Sequence, residues 1–193
     1  MAGSADSASD EYRGKGLAKE LAFCVIRAAR DRGLETISLE VLCDNKPAVA
    51  LYRKVGFEIV RKLRSFETIR GGDAKAGRFL RTEPANLIDE PEVARPCWQR
   101  ESATLRNGAV STGMNDGKGN FALFRFNTNR AQVLKIRSTD ADSLNALSDA
   151  IAAEQPFQSV LVPNEPAESP LALYAEQAGW NEPFRQYEMQ FKL

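Results

Sequence analysis

The sequence predicts an α/β chain in which a sheet is flanked by helices, and three observations carry that expectation. Residues 16–60 follow the order helix, strand, helix, strand. Residues 104–136 hold three β-rich runs. Residues 140–193 then repeat helix, strand, helix, strand, so the same order occurs twice in 193 residues.

The first element is a turn. Glu11-Tyr12-Arg13-Gly14-Lys15-Gly16-Leu17-Ala18 sets two glycines and two cations directly ahead of an apolar-periodic helix. The first N–H groups of a helix have no internal partner and lie at the positive end of its dipole, so they suit a phosphate. Glycines let the backbone approach closely, and Arg13 and Lys15 add charge. A Walker loop is excluded because no Gly-Lys-Ser/Thr ending occurs. The dinucleotide fingerprint is excluded because Lys19 stands where a third small residue is needed.

From Gly16 to Arg32, Leu17, Leu21, Cys24, Val25 and Ala28 recur at helical spacing, and Gly33 supplies a stop. Ile37, Leu39 and Val41 alternate within a strand over Thr36–Cys43. Asp44-Asn45-Lys46-Pro47 starts a second helix with Ala48, Leu51, Tyr52 and Val55 on one face. Gly56 ends it, and Phe57, Ile59 and Val60 begin another strand. A charged connector with Gly71-Gly72, Pro84 and Pro91 follows over 68–95. Thr104–Ser111, Phe121–Phe126 and Ala131–Ile136 read as strands, separated by 113–119 and by Asn127-Thr128-Asn129. Asp140 caps a helix striped by Leu144, Leu147 and Ile151. A strand over Phe157–Val162, a helix over Ser169–Ala178 and a strand over Phe184–Leu193 complete the chain.

Arg13-Gly14-Lys15-Gly16-Leu17-Ala18 resembles the Arg/Gln-x-x-Gly-x-Gly/Ala acetyl-CoA loop of the GCN5-related N-acetyltransferases, the GNAT superfamily. The run from Leu39 to Phe57, with Asp44-Asn45-Lys46-Pro47 and Leu51-Tyr52 inside it, resembles the second half of that fold in the correct order and at the correct distance. The resemblance implies a three-layer α/β fold with a mixed, mostly antiparallel sheet. It also implies acetyl-CoA as co-substrate, with Arg13, Gly14, Lys15, Gly16, Leu17 and Ala18 around the pyrophosphate and Asn45 at the cofactor. Tyr52 matches the tyrosine that protonates the departing thiolate. Glu40 stands at the spacing where the ribosomal-protein N-terminal alanine acetyltransferases carry their general base. Plain structural roles compete with these: a half-buried core tyrosine, an outward strand carboxylate and a helix cap at Asn45.

A complete domain of that family has several strands before the loop, whereas only the small, polar run Met1–Asp10 precedes it here. That leader has the pattern of neither a signal peptide nor a central strand. Later, Val162-Pro163-Asn164-Glu165-Pro166, Leu173-Tyr174 and Gly179-Trp180 echo Cys43-Asp44-Asn45-Lys46-Pro47, Leu51-Tyr52 and Gly56-Phe57. The expected organisation is therefore duplicated: an incomplete first copy over 1–66, a connector over 67–102 and a second copy over 103–193. In the second copy Asp140 and Asp142 stand where the glycine loop should be and would repel a pyrophosphate, which makes that copy degenerate for CoA.

Lys plus Arg and Asp plus Glu are both 26, so global charge gives no case for nucleic acid or an anionic membrane. The absence of histidine excludes a His-based triad and a His-ligated metal site, and no metal is expected. Three scattered cysteines suit a reducing, cytoplasmic setting, and no apolar run is long enough to span a bilayer. The leading expectation is an acetyl-CoA-dependent N-acetyltransferase acting on a small amine or a peptide or protein amine. The alternatives are a non-catalytic remnant that binds CoA or a protein partner, with homodimerisation through an exposed sheet edge, and an acyl-CoA sensor.

Overall fold

The computed structural model of the chain describes residues 16–69, 78–108, 112–154 and 159–193. In chain order its elements are α1 (Leu17–Asp31), β1 (Thr36–Leu42), α2 (Lys46–Val55), β2 (Glu58–Thr68), β3 (Leu80–Thr82) and α3 (Ala85–Ile88). A 3₁₀ turn at Trp98–Arg100 leads to α4 (Ser102–Arg106), β4 (Thr112–Asn115), β5 (Phe121–Asn127) and β6 (Arg130–Arg137). The chain ends with α5 (Ala141–Glu154), β7 (Ser159–Pro166), α6 (Pro170–Gln177) and β8 (Asn181–Lys192). Two compact units result, residues 1–60 with 187–193, and residues 61–186.

In the first unit the strand order is β1-β8-β2, so the last strand of the chain lies between two of the earliest. The Leu193 N–H donates to the Glu35 carbonyl at 3.0 Å. Ile26, Val41, Val49, Val55, Phe57 and Met189 form the core. The face that α1 buries differs from the stripe expected from periodicity. Ala22, Ile26 and Ala29 face the core, whereas Leu17, Leu21, Cys24, Val25 and Ala28 are exposed, Leu21 at 66%. One residue of offset turns a helix by about 100°. The small side chains of Ala22 and Ala29 face inward, and the leucine stripe faces outward.

In β1, Ile37, Leu39 and Val41 join the core, and Ser38, Glu40 and Leu42 alternate onto the other face. The turn into α2 is fixed by Asn45, whose side chain accepts the Ala48 N–H at 3.2 Å. At the far end Gly56 takes φ +109°, and its N–H reaches the carbonyls of Tyr52 and Arg53. The Phe191 ring lies 3.0 Å from where a Gly56 side chain would begin, so both the backbone conformation and the close approach require glycine.

In the second unit the order is β8-β2-β7-β6-β5-β4-β3. All registered pairs there are antiparallel except β6 with β7. The mixed, mostly antiparallel sheet is therefore the one the sequence predicts. Phe66, Phe124, Val133, Leu144, Leu147, Ile151 and Trp180 belong to one core cluster. The α5 stripe of Leu144, Leu147 and Ile151 is fully buried, as its spacing requires.

Two readings of the connector and its neighbour differ from the structure. The connector contains β3 and α3, and the run expected as a strand over 104–111 begins instead within α4. There the Leu105 N–H donates to the Glu101 carbonyl, and the Thr104 hydroxyl folds back onto the Trp98 carbonyl at 2.7 Å. Thr104 is thereby held in a helical turn, and the strand starts only at Thr112. The echo at Asn164 also changes meaning. It lies buried in β7 at φ +52°, its N–H donating to the Ser65 hydroxyl at 3.1 Å, and Ser169 rather than Asn164 caps α6.

Arg64 joins β2 to β8 through Glu182, at 3.0 and 2.8 Å, and Arg185 binds the same carboxylate. The Arg185 and Arg64 guanidinium groups pull the Glu182 pKa down from 4.5 to about 2. A carboxylate depressed in the folded state stabilises it above the unfolded pKa, and that contribution fades as pH falls toward the folded value. Urea unfolding should therefore show stability lost between about pH 4.5 and pH 2. Glu182→Gln should flatten that slope; an unchanged slope in the variant would refute the assignment.

Candidate functional site

The turn leading into α1 ends at Gly16, which adopts φ +79° and offers its carbonyl to the N–H groups of Lys19 and Glu20 at 3.0 and 3.1 Å. A side chain at this conformation would cost about 1–2 kcal/mol. Among the described residues no side chain caps α1. The three other described helices of eight or more residues start with a side-chain cap: Asn45 caps α2, Asp140 caps α5 through the Ser143 N–H at 2.6 Å, and Ser169 caps α6 through the Ala172 N–H at 3.1 Å, whereas the short α3 and α4 have none. The first turn of α1 is exposed at Leu17 and Ala18, the positions whose N–H groups precede the first bonds within the helix. Those donors suit a phosphate of a cofactor. Arg13, Gly14 and Lys15 lie outside the described residues.

Tyr52 lies in α2, half-buried, and packs against the core of the first unit. Its ring meets Phe57 edge-on at 5.7 Å, and Phe57 in turn meets Phe191 at 5.4 Å. The aromatic row fixes the tyrosine ring. Glu40 is half-buried on β1, on the face opposite Leu39 and Val41. Tyr52 packs with the cluster those two residues join. The two sequence-derived candidates therefore belong to opposite sides of β1. Asn45 is a helix cap at the end of the same strand. Gly16, Leu17 and Ala18 form a separate group at the start of α1.

The start of α5 in the second unit is built differently. Asp140 takes both the Ser143 N–H and the Ser143 hydroxyl, and these bonds hold its carboxyl below the usual range. An anionic side chain thus occupies the position where a phosphate would need to sit. Among the described residues no helix is long and apolar enough to cross a membrane.

The fold these elements build is similar to that of solved GCN5-related N-acetyltransferases. Residues 8–57, which span the glycine turn, α1, β1 and α2, match the Acetyltransferase (GNAT) family. Over 50 residues the chain is 52% identical to the mycothiol acetyltransferase of Saccharomonospora viridis, covering 26% of this chain and 16% of that protein. Over 73 residues it is 37% identical to the N-alpha-acetyltransferase MAK3 of Arabidopsis thaliana, covering 38% of each. The chain thus spans well under half the length of the curated relatives it matches. The whole-chain likeness lies in the fold. The crystal structure of a GCN5-related N-acetyltransferase from Sphaerobacter thermophilus superposes with a TM-score of 0.63 at 14% identity, covering 95% of this chain and 70% of that one.

Proposed function

We propose that the chain transfers an acetyl group from acetyl-CoA to a primary amine by direct attack on the thioester. The observation that carries this reading is the uncapped start of α1 behind a glycine turn, inside the segment that matches the acetyltransferase family. Acetyl-CoA supplies the activated acetyl group. Arg13, Lys15 and the amides from Gly14 to Ala18 hold its pyrophosphate, and Asn45 contacts the cofactor beside its capping bond. Glu40, on the side of β1 opposite Tyr52, accepts the proton that the attacking amine must lose through a relay of water rather than by direct contact. Tyr52 donates its hydroxyl proton to the sulfur as the carbon–sulfur bond breaks. A thiol of pKa about 8.5 is already a tolerable leaving group, so Tyr52 assists rather than governs the step. The two copies of the helix and strand order make this a tandem chain in which the first copy holds the cofactor.

Release of free thiol from acetyl-CoA with a panel of amines tests the proposal. Tyr52→Phe should lower kcat by about 10²-fold, the low end of the range for a positioned acid, with acetyl-CoA affinity unchanged. Equal turnover by the variant would return Tyr52 to a packing role. The acceptor is a small amine or a peptide or protein amine, and the position of Glu40 leans toward a peptide α-amine.

One observation favours a second reading, a non-catalytic module that binds CoA or a protein partner. Among the described residues β1 is hydrogen-bonded to β8 alone and ends the strand order, and an open edge is a template for pairing. In that case a homodimer should form through the β1 edge, with CoA bound and no thiol released for any amine. Light scattering that shows a monomer at high concentration would remove the dimer.

A further inference from the structure

The parallel pair β6 and β7 is registered over only three positions, Arg130 with Ser159, Ala131 with Val160 and Gln132 with Leu161. Beyond them, at the carboxyl ends of the strands, no further pair is registered. In open α/β sheets this is where ligands enter, because backbone groups of diverging strands lack each other as partners.

Here the chain itself supplies the occupant. Arg100, from the 3₁₀ turn, is 2% exposed and donates from Nε to the Leu134 carbonyl of β6 at 3.2 Å. Its Nη1 donates to the Pro163 carbonyl of β7 at 3.3 Å and to Glu165 at 2.7 Å. Nη2 donates to Glu92 at 2.9 Å. Each nitrogen of the guanidinium fork is thus used, on two strand carbonyls and two carboxylates that are themselves almost fully buried. Burial disfavours the Arg100 charge, and Glu165 and Glu92 outweigh that effect. The nearby Lys135 ammonium, held by the Ile88 carbonyl at 2.6 Å, gives Glu92 a second compensating charge. The strap that delivers Arg100 is itself fastened, by Arg61 on the carbonyls of Arg95 and Pro96. A residual space of about 20 Å³ beside Glu92, Arg100, Ser138 and Ser169 is no more than one water needs.

We propose that the carboxyl ends of β6 and β7 form a guanidinium-recognition site that the chain fills with its own Arg100, closing the crevice between the two strands. The acceptors suit a guanidinium and not an ammonium, because the Leu134 carbonyl, the Pro163 carbonyl with Glu165, and Glu92 are each reached by a different nitrogen of one rigid fork.

The test is chemical rescue in the full chain. Arg100→Gly removes the occupant and leaves the receptor. Its thermal midpoint should fall, and millimolar ethylguanidinium should raise it saturably, as a ligand bound only to the folded state does. The unsubstituted chain should show no such rise, and ethylammonium should not replace ethylguanidinium. An Arg100→Gly midpoint that responds to ethylguanidinium no differently from that of the unsubstituted chain overturns the proposal. Should Arg100→Gly fail to fold with the additive present, Arg100→Gly/Glu92→Gln leaves a single unpaired carboxylate and carries the same test. Absence of a saturable rise in that variant is equally fatal. The readout does not depend on acetyl-CoA binding by the first unit, so the two readings fail separately.

Discussion

Glu165→Ala lowers the unfolding free energy by about 3–5 kcal/mol, the cost of leaving a buried charge without one of its partners. Glu165 is the nearer of the two carboxylates on Arg100, at 2.7 Å against 2.9 Å for Glu92. Glu92 cannot take over. Burial already pushes its own carboxyl upward, and its Oε2 has no hydrogen-bond partner among the described residues. The comparison that isolates the cause is Arg100→Met/Glu92→Leu/Glu165→Leu, which removes all three charges together. That variant should unfold within about 1–2 kcal/mol of the unsubstituted chain, because an apolar set of similar volume needs no desolvation of ions. Urea melts of the two variants decide the matter. A triple variant as weak as Glu165→Ala would mean that shape, not charge pairing, holds the strap.

Arg13→Ala/Lys15→Ala is the second large effect, and it is read as acetyl-CoA affinity by calorimetry. A hydrogen bond to a charged group contributes about 1.5–3 kcal/mol, so loss of two should weaken binding by more than about 10²-fold. The helix amides remain in the variant, and residual weak binding is expected. The fold should be unaffected, since the exposed first turn of α1 contributes little to the core. Unchanged affinity in a folded variant would move the cofactor away from this turn, and binding without thiol release would favour the non-catalytic module.

The elements from α1 to β2 were legible because each carries its own punctuation. Gly33, Asn45-Lys46-Pro47 and Gly56 stop, start and stop helices by local chemistry, and Asn45 and Gly56 do so in the structure. Asp140 and the α5 stripe were legible for the same reason. Which side of α1 faces inward was not, because periodicity finds two apolar stripes one residue apart and cannot say which one the sheet selects. The helix at α4 was hidden by a β-rich composition that the Glu101 carbonyl and the Trp98 carbonyl override. Arg100 was invisible: a single arginine in a connector announces nothing until strands more than thirty positions away close around it. The glycines and cations ahead of α1 carry the expectation of an anion site from sequence alone, whereas the opposite placement of Glu40 and Tyr52 about β1 needed the fold.

The position of β8 between β1 and β2 has a consequence for how the molecule comes into being. The first unit is specified by the earliest part of the chain, yet Tyr187, Met189 and Phe191, which complete its core, are synthesised last. A ribosome therefore releases α1, β1 and α2 long before their central strand exists, and the ring closed by the Leu193–Glu35 bond runs from residue 35 to residue 193. Closure over such a distance is slow relative to local helix formation. The first unit can mature only once β8 has been made, and until then α1, β1 and α2 form an unfinished sheet.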